Sequence, residues 1–78
     1  MVLSVTREDD ANRLIDALVD HDYRATRINS AGGFLKKGNS TVVVGVDDDQ
    51  VDDILSLIRQ TTEHANVFVM NVKRFERL

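Results

Sequence analysis

Residues 23–46 read YRATRINSAGGFLKKGNSTVVVGV, two β-rich segments with a glycine-containing segment between them. The first β-rich segment covers residues 23–29, and the second, residues 40–46, holds four valines and a threonine. β-Branched side chains favour extended backbone because they pack well on a pleated surface. The paired glycines Gly32 and Gly33, followed later by Gly38 and Asn39, favour a loop. This stretch therefore predicts two neighbouring strands joined by a loop at residues 30–39, the glycine loop.

A helix and a strand are predicted on each side of that pair. Before it, residues 2–6 alternate apolar and polar side chains as a strand does, and Asp9-Asp10 suit the positive end of a helix dipole. Helical spacing continues towards His21-Asp22 through Ala11, Leu14, Ile15 and Leu18. After the pair, the clearest amphipathic helix is formed by Val51, Ile54, Leu55 and Ile58. Residues 66–72, NVFVMNV, are the last predicted strand.

The resulting βαββαβ order predicts an α+β, ferredoxin-like fold, with residues 1–78 as a single domain. In that fold a four-stranded antiparallel sheet carries two helices on one face and leaves the other face open. The last strand is apolar on both sides, since Val67 and Val69 point one way and Phe68, Met70 and Val72 the other. Because the helices can cover only one side, we expect a homo-oligomer that packs through its sheet faces.

Composition narrows the classes of function. The net charge of −3 disfavours a protein that coats nucleic acid, so no nucleic-acid partner is expected. The chain contains no cysteine, which excludes disulfides, zinc-thiolate sites and thiol catalysis. No apolar run approaches the roughly 18–20 residues of a membrane span, and the N-terminus lacks the basic region of a signal peptide. We expect a cytoplasmic protein with no membrane span and no cofactor.

Catalytic and metal sites are not expected either. No Ser/His/Asp set, buried carboxylate pair or phosphate-transfer motif is visible, so the sequence predicts a binding protein rather than an enzyme. The acidic residues at 47–49, 52 and 53 lack the spacing of a calcium loop, and we interpret them as the exposed start of a helix. His21 and His64 have no partner at metal-ligand spacing.

The glycine loop carries the chemistry that the rest of the chain lacks. Paired glycines can present successive backbone N–H groups to an anion, and Lys36 and Lys37 add positive charge. Phe34 directly follows the glycines and could stack on a nucleobase. These features suit a phosphorylated small molecule that bears a ring. The alternative is a hairpin loop whose Phe34 packs into the core.

Two known modules share the βαββαβ order. An RNA-recognition domain needs aromatic side chains on its first and third strands, which here read VLSVT and STVVVGV, so this function is disfavoured. A small-molecule regulatory domain of the amino-acid-binding type remains an alternative, although nothing in the loop chemistry calls for an amino acid.

Motifs of one known family run through nearly the whole chain. They are YRATRI, GGFLKKGNST, VGVDDDQVDDIL and, near the end, VFVM followed by Phe75. On these motifs the chain resembles the PII-like cyclic-di-AMP receptors. The resemblance implies a ferredoxin-like signalling subunit in a homotrimer, which binds cyclic-di-AMP or a related adenine nucleotide in each cleft between protomers. It also implies an effector protein, of unknown identity, that responds to the bound state.

The resemblance also implies where the ligand lies. By matching motifs, Arg24 and Thr26 would lie beside the ligand at the end of the second strand. Gly33, Phe34 and Leu35 would hold an adenine with backbone groups and a stacked ring.

The resemblance implies further ligand contacts outside residues 33–35. Asn39 would hydrogen-bond the nucleotide, Gly45 would allow its close approach, and Phe68 would line the pocket near the second adenine. Arg77 stands where the family has a glutamine that can touch the ligand. Asp22 stands where asparagine is common, and on an extended strand its carboxylate would share a face with Arg24.

One departure from the family affects the expected mechanism. The long loop that usually separates the second helix from the last strand is reduced here to about residues 61–65. With that element absent, a trimeric assembly module with a vestigial pocket and no ligand remains an alternative to the sensor.

Overall fold

The observed elements follow the predicted βαββαβ order. The structure is a computed structural model that describes residues 1–28 and 38–71. Its elements are β1 (Val2–Arg7), α1 (Glu8–Asp20), β2 (Ala25–Ile28), β3 (Asn39–Val44), a 3₁₀ turn (Asp48–Gln50), α2 (Val51–Thr61) and β4 (Ala65–Val69). Neither helix in these ranges is long and apolar enough to cross a membrane.

The strands form one sheet in the order β2-β3-β1-β4, and every neighbouring pair is antiparallel. β1 is central, so that Leu3 faces Val43 of β3 on one side and Phe68 of β4 on the other. β2 and β4 are the two edges. This is the predicted ferredoxin-like arrangement, and the prediction is confirmed.

The hydrophobic core lies between the helices and one face of the sheet. Fully buried helix residues such as Leu14, Leu18 and Ile54 pack with Val2 and Val42 from the central strands. Burial of large aliphatic side chains is the main favourable contribution to folding. Both helices therefore cover the same sheet face, as expected from the topology.

The alternation in β1 places its polar side under the helices and its apolar side on the uncovered face. Ser4 and Thr6 are buried on the helix side together with Val2, whereas Leu3 and Val5 lie on the opposite side. A strand that directs its hydroxyls inward leaves its aliphatic residues without cover from the helices. The uncovered face of this sheet is consequently apolar at its centre.

The start of β2 differs from the prediction because α1 ends in a defined turn. Asp22 has a left-handed φ of 64°, and its N–H donates to the Val19 carbonyl at 3.0 Å. The Tyr23 N–H donates to the Leu18 carbonyl at 2.8 Å, which completes a Schellman motif. Residues 22 and 23 thus belong to the helix-terminating turn, and the strand begins only at Ala25.

Candidate functional site

The sheet face opposite the helices, here called the open face, has an apolar centre with polar positions around it. One row of directly opposed residues runs Thr26, Val43, Leu3 and Phe68, and the next runs Ile28, Thr41, Val5 and Asn66. Phe68 is 52% exposed and Ile28 48% exposed. Exposed apolar patches of this kind in a folded protein usually mark an interaction surface. The predicted opposition of Phe68 to Val67 and Val69 agrees with the strand register, which ends at Val69. Val72 lies outside the described residues.

Predicted ligand residues meet at one corner of this face. Thr26 is exposed on the open face of β2, and Arg24 directly precedes that strand. Because Ala25 pairs with Val44, Arg24 and Gly45 lie at adjacent ends of β2 and β3. The corner therefore combines a guanidinium, a hydroxyl and a backbone position without a side chain.

Gly45 is not required by packing among the described residues. A Cβ built at Gly45 would meet no atom within 4 Å. Gly38 differs, because its φ of +91° is a conformation that residues with a side chain rarely adopt. None of the described residues fills the space beside Gly45.

The other described candidates lie far from this corner. Asn39 begins β3, at the opposite end from Gly45. Phe68 lies on the edge strand β4, three strand spacings, or about 14 Å, from Thr26 in the same row. One subunit therefore brings Arg24, Thr26 and Gly45 together and leaves Asn39 and Phe68 apart from them.

Asn39 lines an open cleft at the end of the sheet. The cleft has a volume of about 440 Å³, and its lining includes Arg7, His64 and Asn66 as polar neighbours of Asn39. Glu63 also lines the cleft, so its side chains offer hydrogen-bond donors together with the positive charge of Arg7 and the negative charge of a carboxylate. The cleft can accommodate a polar group that reaches Asn39 from the open face.

The remaining predicted contacts, namely Gly33, Phe34, Leu35 and Arg77, lie outside the described residues. Gly38, at the end of the glycine loop, accepts a hydrogen bond from the Glu8 N–H at 2.9 Å through its carbonyl. The last part of the loop is thus anchored to the start of α1.

The position of Asp22 corrects one expectation. The extended-strand alternation that would place its carboxylate beside Arg24 does not apply, because Asp22 lies in the turn after α1. Asparagine and aspartate tolerate left-handed backbone better than other residues with side chains. The left-handed turn therefore explains why aspartate or asparagine occurs at position 22, and no contact with a ligand is needed to explain it.

The connection between α2 and β4 is as short as predicted and is held by three side chains. It comprises residues 62–64. The Thr6 hydroxyl donates to the His64 carbonyl at 3.0 Å, and the buried Asp10 carboxylate accepts the Glu63 N–H at 3.2 Å. Arg13 pairs with Asp10 and also donates to the Thr61 carbonyl at 3.3 Å. These contacts make the connection a fixed turn rather than a long projecting loop.

Arg27 is a residue that the sequence analysis did not single out. It lies on the helix side of β2, away from the open face, and hydrogen-bonds Ser40 and Asn12. No spacing rule predicts these contacts, because they join β2, β3 and α1 through the tertiary structure.

The acidic residues before α2 agree with their interpretation as a helix start. Asp47, Asp48 and Asp49 are exposed, and the Asp47 N–H donates to Gln50 Oε1 at 3.1 Å. Within residues 1–28 and 38–71, no three His, Asp or Glu side chains come together as a metal site would require.

Comparisons with known proteins identify the family. A family model described as "Cyclic-di-AMP receptor" matches residues 1–77. The chain is also similar to a solved structure described as "a functionally unknown protein from Pediococcus pentosaceus ATCC 25745". The two share 30% sequence identity and a TM-score of 0.84, over 99% of this chain and 94% of that chain. Because the family model spans essentially the whole chain, and the motifs and fold agree with it, this protein belongs to the cyclic-di-AMP receptor family.

Proposed function

We propose that this protein is a PII-like signalling subunit that binds cyclic-di-AMP, or a related adenine nucleotide, in clefts between the protomers of a homotrimer. The observation that carries the proposal is the distribution of its candidate residues over the open face. Thr26, Asn39 and Phe68 alternate with core residues in three different strands, so all three belong to this one face. The proposed unit is a single domain of residues 1–78, resident in the cytoplasm and without catalytic activity.

The separation of these residues supports a site between subunits. Phe68 lies at the β4 edge, about 14 Å from Thr26 near the β2 edge. A neighbouring subunit that packs on the open face would bring its own β4 edge towards the first subunit. That edge would approach the corner that holds Arg24, Thr26 and Gly45. The apolar centre at Leu3, Val5 and Val43 would be buried in the same step, which favours association through the hydrophobic effect.

The chemistry of the corner, together with that of Asn39 and Phe68 elsewhere on the open face, would suit a cyclic dinucleotide. Arg24 is exposed and can form charge-assisted hydrogen bonds to a phosphate. Thr26 offers a hydroxyl, Gly45 leaves room for the ligand, and Asn39 offers an amide for hydrogen bonds to a base or ribose. Phe68 provides an exposed ring on which an adenine can stack.

The test combines calorimetry with a mass measurement. The chain is titrated with cyclic-di-AMP, cyclic-di-GMP, ATP and AMP, and light scattering reports its mass. We expect cyclic-di-AMP to bind most tightly, with one ligand per subunit and a mass of about three times 8.8 kDa. A stable monomer at micromolar concentration would overturn the proposed cleft, because half of its walls would be missing. Equal affinities for all four nucleotides would overturn the proposed ligand.

Phe34 provides a test at the glycine loop. If its ring stacks on adenine, Phe34→Ala should weaken nucleotide binding by about 1–3 kcal/mol and leave the melting temperature almost unchanged. If the ring instead packs in the core, the same substitution should cost about 3–5 kcal/mol of stability. Titration and melting of this one variant separate the two roles.

The second candidate function is a trimeric assembly module without a ligand. The short connection between α2 and β4 favours it, because that connection is held by Thr6 and Asp10 and offers no long loop to an effector protein. A trimer that binds none of the four nucleotides would support this function over the sensor.

A further inference from the structure

One end of the open face carries an arginine that the proposed site has not yet used. Arg7 ends β1 directly opposite Asn39, the first residue of β3. Strand alternation places both residues on the open face, as it does Val5 and, opposite Val5, Asn66 of β4. Arg7, Asn39 and Asn66 therefore surround this end of the open face, and all three line the cleft of about 440 Å³.

The guanidinium of Arg7 has no protein partner in the part of the chain that the structure describes. Within residues 1–28 and 38–71 it takes part in no hydrogen bond and no ion pair, and the residue is exposed. Glu63 lines the same cleft, yet the two side chains form no ion pair. A guanidinium keeps its charge at every physiological pH, and its planar fork of N–H donors fits a phosphate.

The wall of the cleft beside Arg7 is held in place by two buried polar side chains. The Thr6 hydroxyl, on a residue that is 3% exposed, donates to the His64 carbonyl at 3.0 Å. The Asp10 carboxylate, on a residue that is 4% exposed, accepts the Glu63 N–H at 3.2 Å. Because these contacts fix the backbone of residues 63 and 64, little conformational freedom is lost there when a ligand enters the cleft.

We propose that Arg7 is a second phosphate-binding residue of the nucleotide site, acting beside Asn39 at the end of the open face opposite to Arg24. The proposal rests on the function proposed above, in which Asn39 hydrogen-bonds the nucleotide. Arg7 and Arg24 of one subunit lie roughly 20 Å apart, measured along and across the strands. In a cleft between protomers, Arg24 of one subunit and Arg7 of its neighbour would each neutralise one of the two phosphates of a cyclic dinucleotide.

Glu63 gives the proposal a second, opposite sign. Its carboxylate lies in the same cleft and repels an anion that approaches Arg7. Removal of the Glu63 charge should therefore strengthen nucleotide binding, whereas removal of the Arg7 charge should weaken it. Both effects are electrostatic interactions near the surface, so both should shrink as the salt concentration rises.

The experiment compares Arg7→Gln with Arg59→Gln. Arg59 is the matched control, because it is also an exposed arginine without a hydrogen bond or ion pair among the described residues, but it lies on α2 at the helix side of the sheet. Both substitutions remove one positive charge. Arg7→Lys and Glu63→Gln complete the set, and each variant is melted and titrated with cyclic-di-AMP at low and at high salt.

We expect Arg7→Gln to weaken cyclic-di-AMP binding roughly tenfold to a hundredfold at low salt, as for the loss of a charge-assisted hydrogen bond, without lowering the melting temperature. Arg7→Lys should recover part of the loss, because an ammonium group keeps the charge but not the fork. Glu63→Gln should bind more tightly than the wild type, and Arg59→Gln should bind equally well.

Two results would overturn this inference and leave the proposed function standing. They are wild-type affinity in Arg7→Gln, and an equal loss of affinity in Arg7→Gln and Arg59→Gln, which would reflect only the net charge of the chain. A wild-type chain that binds no cyclic-di-AMP would overturn the inference together with the proposed function.

Discussion

At the scale of single residues, Ser4 is a buried hydroxyl whose Oγ has no hydrogen-bond partner among the described residues. It is 1% exposed on the helix side of β1. A buried polar group without a partner loses its hydration and gains nothing in return. We therefore expect Ser4→Ala to stabilise the fold by about 1 kcal/mol, measured by urea unfolding at one fixed protein concentration.

Ser40 is the matched control, because it is a buried serine on the same side of the adjacent strand. Its Oγ accepts hydrogen bonds from Arg27. Ser40→Ala should destabilise the fold by about 1–3 kcal/mol, since it removes the acceptor of two hydrogen bonds from a charged group. Equal losses for both substitutions would contradict the assignment of Ser4 as an unpaired group.

The left-handed φ of 64° at Asp22 limits which residues can replace it without strain. Asp22→Asn and Asp22→Gly should leave the free energy of unfolding within about 1 kcal/mol of the wild type. Asp22→Val should lower it by about 1–3 kcal/mol, because a β-branched side chain is strained there. Chemical denaturation of the three variants measures the order, and a tolerated valine would argue against the turn.

At the scale of elements, Tyr23 links the turn after α1 to the first turn of α2. Its hydroxyl donates to Asp53 Oδ2 at 2.6 Å. This hydrogen bond is the main cause that raises the pKa of Tyr23 above its ordinary value of 10.0, with further contributions from partial burial and from the charges of Asp53 and Asp49. The proton that bridges the two elements is thus held more tightly in the folded chain.

A raised folded-state pKa contributes stability below the unfolded value, and that contribution is lost as the pH rises through the folded value. The wild type should therefore be more stable than Tyr23→Phe at about pH 8, and the difference should be smaller at about pH 11. Urea midpoints of both proteins at the two pH values provide the measurement. The pH-dependent difference should be smaller in an Asp53→Asn background, and a difference of unchanged size there would point to another partner.

At the scale of the whole molecule, the open face should decide assembly. Met70 follows β4 beside Phe68 and is 39% exposed, so a charged residue there does not disturb the core of a single subunit. Met70→Glu should reduce the mass in solution towards that of a monomer, because a buried carboxylate without a partner opposes the interface. Light scattering over a concentration series measures the shift.

Val19 is the control for this prediction. It is 59% exposed, but it lies on α1, away from the open face. Val19→Glu should leave the mass unchanged. If Val19→Glu dissociates the oligomer while Met70→Glu does not, the subunits associate through the helices instead of the sheet.

The sequence by itself determined the order of the elements, the membership of the family and the length of the connection before β4. The valine-rich strand before Asp47 and the spacing of Val51, Ile54 and Ile58 are local patterns, and local patterns can be recognised from neighbouring residues alone. The glycine-loop motif is also contiguous along the chain, so it can be recognised in the same way. These predictions are confirmed by the observed fold and by the family match.

Only the tertiary structure decided which side of each strand faces the helices and which distant residues meet. Alternation predicts two faces for β1 but not which one is covered, and the polar face of Ser4 and Thr6 is the one that the helices bury. The tertiary structure also brings Arg27 into contact with Glu8, and Asp10 into contact with Glu63. Such contacts join residues far apart along the chain, and their geometry depends on how the helices pack onto the sheet, which no local pattern encodes.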